Sequence, residues 1–568
     1  MTAKSIKPVS RAKKTKSDGE KKTITEQNPG YNPVLSSESV DEISIRMYCH
    51  GFGDCFLLTF RGAGQTVYRM LIDCGMLTGS QSILGECIEN IKQDCGNHIN
   101  LVVQTHEHKD HISGFNIRDK EKKLIWDDIT VDDVWLAWTE NTDPGGDELA
   151  INLKEKFKKK KNALARSLGL YKSYINSPSH ESLMSTDPAS SVYHSAQQRY
   201  AEALQQMLNF YDINEKEVGM AANGEEELGL TMKDAMRYFI DNKGKGNRNI
   251  SFWNPGDFAD SKTTGLNGIK FYFLGPPKNY DLLRKMDDKE HIEMYLTDVG
   301  VADNFYLALS EKTDNFSPFH EKYRWEKGKP IYPGDNTKDP DFVWNLYKSP
   351  KNKWRDIQAD WLQNAGSLAL NLDSYTNNTS LVIAIEFEKS GKVLLFAADA
   401  QIGNWISWTQ PSKEGDKEPA IKWENPGTNG SKTITAADLL KRTVFYKVGH
   451  HSSHNATARK HGLELMTSDE LVAMIPVDEE VAKRQGKKGW EMPAKDLYKR
   501  LQEVTKCRII RLDKGNIIED DLNSVPKAAA PTEQERQAFN RSVTEAKTLI
   551  TTDDGIKRPM YWEYKLKG

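Results

Sequence analysis

Histidine and carboxylate side chains crowd into one short stretch of this chain, Thr105-His106-Glu107-His108-Lys109-Asp110-His111, directly after the apolar run Leu101-Val102-Val103. Imidazole and carboxylate suit zinc and other borderline first-row divalent ions. A short irregular turn at a strand exit can aim His106, His108, Asp110 and His111 into one small volume. A solvated polar loop needs no such spacing, whereas a metal site does. Ions held by neutral imidazoles and carboxylates bring the pKa of bound water toward about 7, supplying hydroxide at neutral pH, and polarise a phosphoryl or carbonyl oxygen. The chemistry these residues imply is metal-assisted hydrolysis with one or two Zn2+ ions, Mn2+ being the alternative.

Such a loop needs strands to hold it, and three apolar runs qualify. Met70-Leu71-Ile72-Asp73-Cys74-Gly75 reads as a buried strand ending in Asp-x-Gly, and Val393-Leu394-Leu395-Phe396-Ala397-Ala398-Asp399 as a second with a carboxylate at its exit. Val444-Phe445-Tyr446-Lys447-Val448-Gly449-His450-His451-Ser452-Ser453-His454 is a third that delivers histidines. Adjacent residues leaving a strand point in opposite directions, so either His450 or His451 faces the ions. His454 reads as surface, and Ser452 and Ser453 as hydrogen-bonding residues.

The pattern His-X-His-X-Asp-His resembles the signature of the metallo-β-lactamase fold superfamily, and the three strands follow that fold's order. Gly51-Phe52-Gly53-Asp54-Cys55-Phe56-Leu57-Leu58, Asn377-Asn378-Thr379-Ser380-Leu381-Val382 and Lys447-Val448-Gly449-His450-His451-Ser452 resemble the subgroup containing the hydrolase domain of the bacterial DNA-uptake (competence) channel protein. The resemblance implies an α/β fold: an αββα sandwich carrying a large mixed α/β insertion and a C-terminal extension. It implies that Asp73 is a structural aspartate under the metal loop and that Asp399 bridges two ions. His106 and His108 would hold the first ion, and Asp110, His111 and His450 the second, His450 being favoured over His451 by position. Asp110 would also orient the attacking water as the catalytic residue. The chain departs from the family at its middle histidine ligand, where Asn377, Asn378 and Ser380 stand instead. An amide, a water or a histidine from elsewhere would complete the centre. Asp73, His451, Asn377, Asn378, Ser380 and Lys447 are candidates for supporting or substrate contacts. His180, His194, His291 and His320 have no companion motif and read as surface histidines.

The organisation around these motifs is that of an enzyme with more than one unit. The 568 residues exceed one compact core of about 100 to 200. Residues 1–40 are a Lys-rich tail of disordered composition. The fold's first half is expected over 41–115, an insertion or cap over 116–370, the second half over 371–520 and the extension over 521–568. Within the insertion, the lysine run Lys154 to Lys161 reads as the outer face of a helix, with a nucleic-acid contact as the alternative. The aromatic and basic segment from Phe316 to Asp360 reads as a cap over the site.

With 78 basic and 81 acidic side chains, a surface that clings everywhere to nucleic acid is excluded, while a local basic groove is not. No apolar stretch approaches the roughly 20 residues that cross a bilayer, and the amino terminus lacks a signal-peptide core. Cys49, Cys55, Cys74, Cys87, Cys95 and Cys507 form no C-x-x-C pair and read as reduced core residues. These features imply a cytoplasmic bacterial protein with no membrane association. The expected function is that of a metal-dependent phosphodiesterase or nuclease with a phosphoester substrate, nucleic acid included, working beside a partner protein. The alternatives are a hydrolase of small carbonyl substrates such as a lactone or thioester, and a non-catalytic scaffold with a partner-binding insertion.

Overall fold

The apolar runs become strands of two large sheets. The computed structural model describes residues 38–176, 188–223, 228–241, 249–285, 345, 365–409, 421–424, 433–485, 490–552 and 555–568. In the first sheet, β1 (Glu42–Tyr48), β2 (Cys55–Gly62) and β3 (Gln65–Cys74) form an antiparallel meander. To it β4 (His98–Gln104), β5 (Thr130–Ala137) and β6 (Asn249–Trp253) add in parallel. Parallel neighbours need a crossover, and the helix α1 (Gln81–Asp94) supplies the one between β3 and β4. Its N-terminus is capped by the Ser80 hydroxyl, and Ile83, Leu84, Cys87, Ile88 and Ile91 form its buried stripe. On the other edge, the strand Tyr561–Lys567 pairs antiparallel with β1 and carries Val543–Glu545, completing eight strands. The C-terminal extension is thus part of the first sheet.

The second eight-stranded sheet runs from β7 (Phe258–Ala259) through β8 (Ile269–Gly275), β9 (Val382–Phe387) and β10 (Val393–Phe396). It continues through Thr443–Lys447, Val472–Ile475, Ile509–Arg511 and Gly515–Asn516. Aromatic pairs bridge the two sheets: Phe56 and Phe396 lie 6.1 Å apart, Trp135 meets Phe271 at 5.1 Å, and Phe445 stacks on Tyr564 at 6.0 Å. Along β10, Leu394 and Phe396 face this shared core, while Val393 and Leu395 face a second core built with helices. Burial on both faces is why that strand reads as an unbroken apolar run. The protein is a mixed α/β protein.

Within residues 116–370, β5 and β6 belong to the first sheet, and β7 and β8 to the second. Trp135, Phe271 and Phe273 are buried between the sheets, and strands so placed cannot be excised from the core. What leaves the sheets between β5 and β6 is helical: α3 (Glu148–Ile175), followed by Pro188–Asn209, Glu215–Ala222 and Leu230–Asp241. Residues 1–37 of the tail, most of the segment Phe316 to Asp360, and His180, His291 and His320 lie outside the described residues. All six cysteines are buried free thiols. Among the described residues, no helix is long and apolar enough to cross a membrane.

Candidate metal centre

Four strand exits meet at one point. After β4, the chain turns through His106 and His108 into a single helical turn, α2 (Lys109–Ile112), which buries Asp110 and His111. The exits of β3, β10 and Thr443–Lys447 each hold non-glycine residues at positive φ: Asp73 at 54°, Ala398 at 47°, His450 at 44° and His451 at 50°. Such conformations cost of order 1–3 kcal/mol each and persist only where the surroundings over-determine them, typically at functional sites. The glycine of the Asp-x-Gly exit is needed for close approach, since a Cβ at Gly75 would overlap the backbone of His111.

Asp110, His111, Asp399 and His451 bring four ligand atoms within 4.8 Å of one another. His451 Nε2 lies 2.9 Å from Asp110 Oδ2, and His111 Nε2 lies 3.1 Å from Asp399 Oδ2. Beside them, His106 Nε2 and His108 Nδ1 are 3.1 Å apart. Two nitrogens bound to one tetrahedral zinc would stand about 3.3 Å apart. All six side chains are at most 1 % exposed, so water does not satisfy them. Yet Asp110 Oδ1 has no hydrogen-bond partner, and His111 Nε2 and Asp399 Oδ2 meet as an ion pair without forming a hydrogen bond. Buried polar atoms are almost always paired, and this group of imidazole nitrogens and carboxylate oxygens fits a divalent ion.

The surroundings aim these atoms. Asp73 Oδ2 stands 2.8 Å from His111 Nδ1 and accepts a hydrogen bond from the Thr105 hydroxyl at 2.7 Å, while its Oδ1 accepts from the Thr105 backbone N–H at 2.8 Å. His451 Nδ1 lies 2.6 Å from the Pro476 carbonyl. Both rings are therefore anchored through Nδ1 and present Nε2 inward, the arrangement that fixes a ligating tautomer. Asp399 Oδ1 accepts from the backbone N–H of His450 at 2.8 Å, and the Asp399 N–H donates to Ser380 Oγ at 3.2 Å. Lys447 is buried, ion-paired with Asp54 and 3.5 Å from Asp399 Oδ1.

Charge divides the site. Burial, with the neighbouring imidazoles of His111 and His108, holds His106 well below the usual histidine range, and burial takes His108 down to about 4. Both are neutral and ready to ligate. For His111, burial opposes protonation but Asp399, Asp54, Asp73 and Asp110 outweigh it and push the pKa well up. His451 is raised in the same way, chiefly through Asp110. A bound cation would replace the protons that these carboxylates hold on the two rings. On the outer side of the loop, two lysines overcome burial and hold the Glu107 carboxyl far below its ordinary value.

The structure places Asp110, His111 and Asp399 in one group, with His106 and His108 beside it. It is His451 that enters the four-ligand group. His450 Nδ1 instead lies 2.8 Å from the Ser453 hydroxyl and 3.2 Å from Asn455 Oδ1. The left-handed backbone at both residues turns the second ring inward. Asn378 donates to the carbonyls of Leu283 and Lys285 and accepts from the Asn404 N–H, a scaffolding role. Asn377 lies in the last turn of the helix Ala365–Asn378 and donates to Asp373 at 3.2 Å. His194 sits on a helix beside Gln198 and is not brought to the site. Arg511 pairs with Asp513 and Glu479.

Asp54, Asp373 and Gln401 were not singled out by sequence. Asp54 stands in the Gly-Phe-Gly-Asp segment, a signal that was present, whereas Asp373 and Gln401 have none. Burial, with Asp399 and Asp110 adding to it, raises the half-buried Asp373 to about 6. Gln401 bridges Asp373 at 3.4 Å and His450 at 3.5 Å. No protein-family model matches the chain, and no curated protein matches it in sequence.

Proposed function

We propose that the chain is a metal-dependent hydrolase with the αββα architecture of the metallo-β-lactamase superfamily, cleaving phosphodiesters and, among them, nucleic acid. The observation that carries this reading is the convergence of Asp110, His111, Asp399 and His451 in one buried cluster where Asp110 Oδ1, His111 Nε2 and Asp399 Oδ2 make no hydrogen bond, although His111 Nε2 lies 3.1 Å from Asp399 Oδ2. An unsatisfied buried polar group costs about 1–3 kcal/mol, so several at one point are explained by a ligand that pairs with all of them. The two bridged sheets, with helices packed on β4 and β10, support the architecture. The substrate class rests on the resemblance of the segments around Asp54, Ser380 and Lys447 to the hydrolase domain of the DNA-uptake channel.

His106 and His108 would hold one ion, and Asp110, His111 and His451 a second, with Asp399 available to both. A divalent ion, Zn2+ or Mn2+, would supply water ionised near neutral pH and positive charge facing the phosphoryl oxygens. With an ion bound, His451 Nε2 and Asp110 Oδ2, 2.9 Å apart, would both face it, and Asp110 Oδ1, which has no hydrogen-bond partner, could accept a hydrogen bond from water. Lys447 neutralises part of the charge of Asp54 and Asp399. Asp73 keeps His111 in register and takes no part in proton transfer.

Metal analysis of the purified protein, paired with hydrolysis of bis(p-nitrophenyl) phosphate and of single- and double-stranded DNA with added Zn2+ or Mn2+, tests the reading. Metal-dependent cleavage lost in Asp110→Asn is the expected result. Bound metal with hydrolysis of a lactone or thioester and no phosphodiester cleavage would overturn the substrate class. Absence of bound metal would overturn the whole reading.

A further inference from the structure

Glu107 stands between two site histidines and points away from them. Successive side chains on an extended segment alternate, so with His106 and His108 turned inward, Glu107 faces outward. There it meets α3, the helix of the lysine run. Lys154 Nζ lies 2.8 Å from Glu107 Oε2, and Lys161 Nζ lies 2.8 Å from Glu107 Oε1, so each carboxylate oxygen takes one lysine. The two lysines are seven residues apart and share a helix face. Lys154 also reaches Glu140 at 2.8 Å, which ties the cluster to the exit of β5. Glu107 is only 8 % exposed, and a buried carboxylate held by two cations has one orientation where a solvated one has many.

The same helical region holds the loop at its next residues. The Lys109 N–H donates to the Phe210 carbonyl at 2.8 Å, and Lys109 Nζ pairs with Asp212 at 2.6 Å. The His108 ring packs on Phe210 and Tyr211 with centroids 5.3 and 5.1 Å away. Fixing the outward side chain fixes the peptide planes on either side of it, and with them the directions of the two histidines.

We propose that Glu107, Lys154 and Lys161 form a positioning clamp by which the helices between β5 and β6 hold His106 and His108 in place for a divalent transition-metal ion. The lysine run is then a device for ordering the metal loop. This inference rests on the reading of the cluster as a metal centre, and its test has one arm that does not.

In the arm without metal, hydrogen–deuterium exchange of residues 105–111 is followed in chelator for the parent, Glu107→Gln and Lys161→Met. Lys161→Met keeps Lys154 on Glu107 and guards against a Glu107 variant that fails to fold. Exchange about tenfold faster at the loop, with far-UV circular dichroism unchanged, is the expected result. In the second arm, Co2+ alone is titrated and read by its visible absorption. Lys161→Met and Glu107→Gln should bind about 10- to 100-fold more weakly, the range found for groups that orient ligands, while Lys161→Arg stays near the parent. Loop exchange at the parent's rate in both variants overturns the clamp. Faster exchange with Co2+ affinity within twofold of the parent overturns its role in positioning the ligands. A parent that binds no Co2+ overturns the metal centre, and the exchange arm still decides the clamp.

Discussion

His451 Nε2 stands 2.9 Å from Asp110 Oδ2 although 341 residues separate them, joining the loop after β4 to the exit of a strand in the other sheet. His450, one residue earlier, hydrogen-bonds through its ring to Ser453 and Asn455 instead. His451→Ala should therefore lower metal affinity by at least about tenfold, as loss of a ligand does, while His450→Ala retains bound metal. Metal content after dialysis against a weak chelator separates the two, and equal loss in both variants would count against the assignment of His451.

Asp73 never reaches the four-ligand group, yet it holds His111 Nδ1 at 2.8 Å and is itself held by Thr105. Removing its charge lets the ring rotate and lowers the basicity of Nε2. Asp73→Asn should weaken metal binding about 10- to 100-fold without removing any ligand. A competition titration with a chromophoric chelator measures this, and unchanged affinity would show that the ring is held by its packing alone.

Lys447 lies in a cluster with Asp54, Asp73, Asp110 and Asp399, all at most 2 % exposed, where the imidazoles of His111 and His451, raised in pKa, are its fellow cations. Taking away one partner of a buried ion pair leaves the other charged and unpaired, at a cost of about 3–5 kcal/mol. Lys447→Met should lose about that much stability to urea in the presence of chelator, and Asp54→Asn in the same chain should restore part of it. Wild-type stability in the single variant would mean that water reaches these carboxylates.

The gathering of histidines and carboxylates was legible in the sequence to the extent that it is local. The spacing His106, His108, Asp110, His111 and the apolar strand before it lie within a dozen residues. Strands buried on both faces, such as Val393–Phe396, announce themselves as unbroken apolar runs. The choice between His450 and His451 was not legible, because it depends on two residues with positive φ that residue type does not encode. Nor was the partner of the lysine run, since Glu107 and Lys154 meet only when α3 folds back on the loop. That β5 and β6 are neighbours in one sheet was not legible, because a long helical excursion separates them and only pairing shows it. The tail at Tyr561–Lys567 carried a strand's composition, but its pairing with β1 spans nearly the whole chain.

Asp373 gives the site a pH dependence whose sign can be worked out. Burial first, then the charges of Asp399 and Asp110, raise its pKa from 3.8 to about 6, against the pull of His450 and Gln401. Because the folded value is raised, the folded chain keeps a proton between about pH 4 and 6 that the unfolded chain has released. Stability from this group is therefore fully present below the unfolded pKa and is lost as pH rises through the folded one. Asp373→Asn mimics the protonated acid and removes that loss. In chelator, the variant and the parent should be equally stable at pH 3. The variant should gain on the parent between about pH 4 and 6 and stay ahead at pH 8, by at most about 3 kcal/mol because the half-buried carboxyl is partly screened. Urea denaturation at a series of pH values reads the difference directly, and a gap that does not change with pH would mean that Asp373 titrates alike in the folded and unfolded chains.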